Sequence, residues 1–523
     1  MKIEIKREKF RCLSLPFLFL VTVFLGFLIQ SKVETDSTVK FLCLVGCLSL
    51  FALCVYWTQR GKMTAEKWLT VIFLVALIAR LCYVSTIPIT KNQHDTSWFG
   101  KEKNYGHTGY IQYLMDNHHL PDFDVRGKSQ FYHPPLHHIL AALWIELQQF
   151  LGVTFEAAIE NIQLLTVFYS MTALYASGRI FKLLGLKGKG LIAAFSVVAF
   201  HPTFFLLSGS INNDCLSVCL TFCAVWATLE WHKSKKLSHI IAIALCLGGA
   251  MAAKLTAGLL APAIALLFLY DFISAKGKKA KWELFFQFAI FGVICIPLGI
   301  GWEVRNFVKF GVPLTYVPRL SDTASQYLGD YTVAERLFDF RSLKDFGVFP
   351  SRTGTQEALY FDHCIPLTAL KSALFGEYSV WRDNDFYNAL GNLLFVLNGV
   401  LVLGSIVPLI ASAVAFLRSL PKKAQNRLAS VWHMGLTQSA FLYIYLGTML
   451  MSYVMFCFQY PHYCSMDFRY IVPTLLVGSV FLGKAISALG ARRTRLSSAC
   501  ASLLIASVPA FALCSALMYP LYF

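Results

Sequence analysis

The stretch PLHHILAALWIELQQFL, residues 135–151, decides how the chain is threaded. It looks like a short membrane helix, but at 1.5 Å per residue it reaches only about 25 Å. The hydrocarbon core of a bilayer is about 30 Å thick. Two histidines stand one turn in, and Glu146, Gln148 and Gln149 follow, so the segment is amphipathic and suits an interface better than a crossing.

The charge pattern around it gives the same answer. Connections rich in Lys and Arg occur at 60–67, KLLGLKGKG (182–190), HKSKK (232–236), SAKGKKAK (274–281), PKKAQNR (421–427) and ARRTR (491–495). Basic connections face the cytoplasm, and the basic N-terminus should lie there with them. Apolar runs at about 13–30, 40–57 and 68–86 carry the chain outside after Ile87. If 135–151 crossed, every later basic connection would be inverted. If it lies on or dips into the outer surface, all of them fall on one side. The remaining runs are near 161–182, 190–207, 212–230, 238–254, 256–274, 284–301, 391–417, 432–456, 470–488 and 498–519. The expectation is an all-α polytopic membrane protein of about thirteen spans, one domain over 1–523. Two large extracytoplasmic loops, 87–160 and 303–390, should carry juxtamembrane helices.

Composition agrees. The chain has 523 residues, 56% hydrophobic and 14% charged, with mean hydropathy +0.57, too apolar for a soluble fold of this size. The net charge of +17 does not point to nucleic acid, because the basic residues sit in short connections between apolar runs. The first run follows Lys2, Lys6, Arg7, Lys9 and Arg11 and lacks small residues at a cut site, so it reads as a retained helix rather than a cleaved signal. Most of the 15 cysteines lie in apolar runs, where Cys behaves as a small hydrophobe. Cys364 and Cys464 fall in outer loops, but spacing alone establishes no disulfide between them.

Polar chemistry gathers at the outer helix ends. Asp95 and His94 follow the third span, and seven of the 13 histidines lie in the first large loop. Asn213 and Asp214 open a later span, Lys254 sits between two apolar runs, Glu303 and Arg305 close another, and Asp467, Arg469 and Tyr470 precede one more. Ionisable groups at such depth are costly and mark function when several converge. Singly, each has a plainer reading. Asp95 would be a solvated loop acid, Asp214 a helix cap, Lys254 a snorkelling cation, and Arg305 and Arg469 interface anchors. The histidines show no metal-ligand spacing within a helix, so no metal site is assigned to them. Arg80 lies inside a span and requires a partner that the sequence does not name.

The ordered set resembles the polyprenyl-phosphate-dependent glycosyltransferases of the GT-C class, in particular the protein O-mannosyltransferase and aminoarabinose-transferase group. The elements are QHD (Asp95), YHPPLHH, NND (Asp214), AKLTAG (Lys254), WEVRNFVKFGVPL (Arg305) and FRYIVP (Arg469), over about residues 68–480. The resemblance implies a GT-C fold in a plasma or endoplasmic reticulum membrane. The donor would be a sugar on a polyprenyl phosphate and the acceptor a glycan, glycolipid or protein hydroxyl. Asp95 would be the general base, Asp214 would support the acceptor or a cation, and the leaving phosphate calls for Lys254, Arg305 or Arg469, or a divalent cation. Tyr132, His133, His137 and His94 would bind substrate, with Asn213, Glu303 and Tyr470. Two departures bear on the acceptor side. Thr96 follows Asp95 where many relatives have an Asp-Glu pair, and Tyr132 and His133 stand where an acidic residue precedes the PP helix in the aminoarabinose transferases. A transporter or lipid flippase, and a lipid-linked glycan ligase or polymerase, are the alternatives. A transporter should show inverted repeats and broken mid-membrane helices, and the sequence shows neither.

Overall fold

The computed structural model describes residues 14–522 apart from 33–35, 92, 101–104, 330, 342, 345–346, 351, 356–357, 378–383, 420–434 and 493. The basic N-terminal residues and PKKAQNR therefore lie outside the described residues. Among the described residues each of the thirteen apolar runs contains a helix. They are α1 (Ser14–Lys32), α2 (Asp36–Gln59), α3 (Ala65–Thr86), α7 (Ile162–Leu183), the bent pair α8 (Gly188–Phe200) and α9 (Pro202–Gly209), and α10 (Asp214–Ser234). They continue with α11 (Leu237–Ala253), α12 (Ala261–Ser274), α13 (Lys278–Phe310), α16 (Asp385–Ser419), α17 (Leu436–Gln459), α18 (Thr474–Ala491) and α19 (Arg495–Ala516). Among the described residues nine helices are long and apolar enough to cross a bilayer by themselves, ten with the bent pair.

Among the described residues, basic connections meet at one end of the bundle. Thr64 caps α3 by accepting from Lys67 N, and Glu66 in its first turn pairs with Lys182 at 2.6 Å. Lys484 Nζ donates to the Leu184 carbonyl at 2.8 Å, placing a cation on the end of α7. His232 pairs with Asp271 at 2.7 Å. Because the helices alternate, the polar ends that carry Asp95, Asp214, Lys254, Glu303 and Arg469 all belong to the other end.

The segment 135–151 forms α5 (Leu136–Phe150), about 22 Å long. It packs against the small helix α4 (Gly106–Asn117) and against α11. Its polarity is inverted relative to a soluble helix. His137, His138 and Gln148 are buried, while Leu143, Leu147, Phe150 and Leu151 are exposed. A helix lying in lipid turns its apolar side outward, so the histidine pair that would face water in a soluble protein is in the interior here.

Arg80 finds its partner at a helix break. Pro202 supplies no N–H, and Thr203 N turns to His201 Nδ1, so the Ala199 carbonyl has lost its usual helical donor. Arg80 Nη1 donates to that carbonyl at 2.9 Å, Nε donates to Ser170 Oγ at 2.9 Å, and the guanidinium lies over the Phe205 ring. The break bends α8 against α9 by 41°, so one broken span exists where the sequence showed none. Arg80, fully buried, fills the gap.

α13 continues through Glu303 and Arg305 to Phe310, where Gly311, φ +65°, ends it in the left-handed conformation. The second large loop then holds α14 (Val333–Phe338), an antiparallel pair β1 (Arg352–Thr355) and β2 (Ala358–Phe361), and α15 (Ile365–Phe375). Lys371 of α15 pairs with Asp362 at 2.8 Å, both fully buried. Leu328 N donates to the Pro461 carbonyl at 3.0 Å, tying this loop to the 460–473 connection. Cys364 and Cys464 are both free.

Candidate active site

Asp95 is fixed by its backbone. It adopts φ +56°, a left-handed conformation that Asp tolerates better than most residues. Its carbonyl accepts from His107 N at 2.9 Å, and Gly106, itself at φ +73°, packs so closely that a Cβ there would stand 2.4 Å from the Asp95 carbonyl oxygen. Gly106→Ala should therefore lower the melting temperature, by about 1–2 kcal/mol of strain, and also cut turnover about tenfold or more by displacing Asp95. An unchanged kcat would show that this contact does not set the Asp95 geometry.

From the far end of the chain, Arg469 Nη1 and Nη2 each donate to Asp95 Oδ2 at 3.4 Å. Asp467 Oδ1 accepts from Arg469 N at 3.0 Å, opening the short 3-10 turn Phe468–Ile471. Burial works against the Arg469 charge, but Tyr470, Asp95, Asp467 and Asp214 outweigh it, and its pKa is raised further. Tyr470 is shared: the Arg469 guanidinium lies 5.1 Å from its ring centroid and Lys254 Nζ 4.9 Å. Lys254 follows the last residue of α11 and forms an ion pair with Asp214. Asp214 is thus no simple helix cap: Asn212 Oδ1 accepts from Asp214 N, and the Asp214 carboxylate is left for Lys254.

Asp95, Asp214, Lys254, Arg469 and Tyr470 line one cavity of about 510 Å³, within the range of small-ligand sites. Nine of the twelve residues expected from the sequence line it: Asp95, Tyr132, His133, Asn213, Asp214, Lys254, Glu303, Arg469 and Tyr470. Glu303 Oε2 is buried and accepts no hydrogen bond. Leu255, Leu259, Met449 and Phe456 give the cavity an apolar wall.

Three expected residues are placed elsewhere. Arg305 donates to the Pro121 carbonyl and to Asn306 Oδ1, with Trp302 beneath its guanidinium, so it clasps the first loop instead of facing the cavity. His137 Nε2 donates to the Ile211 carbonyl at 2.8 Å, away from the cavity. His94 lies between Glu377 at 3.2 Å and Asp467 at 3.9 Å. Burial raises the Asp467 pKa. For Glu377, burial is outweighed by His94 and Arg469, and the pKa is lowered. Other lining residues were not expected, among them Gln130, Tyr316 and His107. His107 stood out in the sequence only as one of the loop's histidines, and Tyr316 carries no sequence signal.

His107, His133, His137 and His138 cluster beside the cavity, and His107 and His133 line it. His107 Nδ1 and His138 Nε2 share a hydrogen bond of 2.9 Å, and the His107 ring stacks on His133. Burial holds His107, His133 and His138 well below the ordinary imidazole range, and His137 at about 4. In the unfolded chain they titrate near 6.5. Between about pH 6.5 and 4 the unfolded state then binds more protons, so their stabilisation is whole above that window and falls as pH drops through it. Each contributes a slope of about 1.4 kcal/mol per pH unit. The unfolding temperature in detergent should fall between about pH 7.5 and 5, and His137→Gln, which keeps a donor for the Ile211 carbonyl, should make that fall shallower. An unaltered slope would remove His137 from this account.

Residues 132–301 match the model of the dolichyl-phosphate-mannose-protein mannosyltransferase family. The matched segment is about a third of the chain. The match takes in Tyr132, His133, Asn213, Asp214 and Lys254, whereas Asp95, Glu303 and Arg469 lie outside it. No curated protein sequence matches the chain. Solved structures to which the chain is similar include two that hold a lipid phosphate. ArnT from Cupriavidus metallidurans bound to undecaprenyl phosphate is 11% identical, with a TM-score of 0.44, over 87% of this chain and 76% of that one. The oligosaccharyltransferase AglB from Archaeoglobus fulgidus, in complex with an inhibitory peptide and a dolichol-phosphate, is 12% identical, with a TM-score of 0.45. This chain is covered over 87% and spans 56% of AglB.

Proposed function

We propose that the chain is an inverting glycosyltransferase that moves a sugar from a polyprenyl phosphate to an acceptor hydroxyl at the extracytoplasmic membrane face. The observation that carries this reading is the cavity in which Asp95 stands against Arg469 while Lys254 and Asp214 pair a short way across it. The family match over 132–301 supports the donor class.

The chemistry follows from the side chains. Asp95 is the most exposed of these acids, at 42%, and so is open to an incoming hydroxyl. It takes the acceptor proton as the acceptor oxygen bonds to the anomeric carbon. Attack comes from the face opposite the phosphate. The anomeric C–O bond breaks and its electron pair leaves with the lipid phosphate. Lys254 and Arg469 hold that growing charge. One base suffices, because no covalent sugar–enzyme intermediate forms. Leu255, Leu259, Met449 and Phe456 offer apolar surface to the first prenyl units. Asn213 and Glu303 stand where sugar or acceptor hydroxyls would be held.

Purified protein given a radiolabelled polyprenyl-phosphate hexose and an acceptor should transfer label and release polyprenyl phosphate, with the anomeric configuration inverted. Label carried across a vesicle with the sugar–phosphate bond intact would instead make the protein a flippase.

A further inference from the structure

Beside the cavity, three loops that are far apart in sequence bring His94, Glu377 and Asp467 together. One ligand atom from each lies within 4.8 Å of the others. All come from outside the spanning helices, and the two carboxyl groups are 5% and 4% exposed. Carboxylates this close and this buried repel each other unless a cation stands between them. Asp467 Oδ2 accepts no hydrogen bond; His94 Nε2 is 3.9 Å away and Arg469 Nε 3.6 Å. An acceptor atom buried in this way is expected to have a partner.

The charges around the cavity lead to the same need. Asp95, Asp214, Glu377 and Asp467 stand about Arg469 and Lys254, four carboxylates against two permanent cations among the described residues, with Glu303 a further acid. A lipid phosphate entering there would add another anion. A site with excess acid holds a phosphate poorly unless more positive charge is supplied.

We propose that His94, Glu377 and Asp467 bind a divalent transition-metal ion, of the Mn2+ or Zn2+ type, next to the Asp95–Arg469 pair. One imidazole and two carboxylates suit such ions, and three protein ligands leave positions for water or a phosphate oxygen. Ligand bonds of about 2.0–2.2 Å require the three side chains to draw together by about 1 Å. The ion offsets the acidic excess and holds Asp467, and through it Arg469, in place. This role in donor binding rests on the glycosyltransferase reading, but the binding of the ion does not.

The test uses the detergent-purified full chain, stripped with chelator and titrated with Mn2+ alone. The expected result is one equivalent of Mn2+ bound, with electron-spin-echo modulation from an imidazole nitrogen. Glu377→Gln should weaken binding at least tenfold, as loss of a ligand does. If that variant does not fold, the nitrogen modulation in the wild-type chain decides by itself. Absence of binding, or bound Mn2+ without nitrogen modulation, would overturn the site. Metal binding without sugar transfer would sink the glycosyltransferase reading and leave the site standing.

Discussion

Asp95→Asn is expected to lose turnover by about 10²- to 10⁴-fold, the usual worth of a general base, with donor affinity kept. Asn is the most searching replacement because the rest of the local structure accepts it. Like Asp, it tolerates the left-handed backbone that residue 95 adopts at φ +56°. Its carbonyl oxygen still accepts from Arg469, and the backbone contacts with Gly106 and His107 do not involve the side chain. What it loses is the ability to take a proton. The loss should therefore fall on kcat and not on the donor dissociation constant. A fall of less than about tenfold would take the base assignment from Asp95. The next carboxyl group to test would be Glu303, which lines the same cavity with an oxygen that accepts no hydrogen bond.

Arg469→Gln is expected to act on the donor instead. Arg469 is 11% exposed at its side chain, touches Asp95, Asp467 and Tyr470, and lines the cavity. Removing it takes away a phosphate partner and leaves two carboxylates without their common cation. Truncating one member of a buried charge pair costs about 2–5 kcal/mol, so the donor dissociation constant should rise at least about 30-fold, with a lower melting temperature. Arg469→Lys should recover only part of this, because a point charge cannot reproduce the fork that reaches Asp95 while stacking on Tyr470. Unchanged donor affinity in Arg469→Gln would remove the arginine from the phosphate site.

The spanning helices were legible because the length of an apolar run constrains a polytopic chain strongly. The expectation that 135–151 does not cross rests on its short length, its amphipathicity and the parity of the basic connections, and the segment forms a helix of 15 residues. Much of the cavity was legible for a related reason: acids and cations are scarce in a chain this apolar, and those at helix ends stand out. The misplaced residues show where sequence spacing stops. Glu303 and Arg305 looked equivalent at a helix end, but the helix runs on to Phe310 and two residues along it are about 200° apart. With Glu303 turned to the cavity, Arg305 must face away, and it meets Pro121. His94 precedes Asp95, yet the left-handed turn at Asp95 separates their directions and sends His94 to Glu377. Glu377 and Tyr316 come from the second large loop, where no periodic pattern announces which side chain returns to the bundle. His137, expected to bind substrate, is buried with His138 on the inward side of α5, where it meets the Ile211 carbonyl.

The central claim is that this cavity, and not the basic end of the bundle, holds the lipid phosphate. A cryo-EM map of the full chain with polyprenyl phosphate tests it directly. The phosphate should lie within ion-pair distance of Lys254 and Arg469, close to Asp95, with the prenyl chain leaving along Leu255, Leu259 and Phe456. A phosphate bound instead among Arg179, Lys182 and Lys233 at the opposite end would contradict the account.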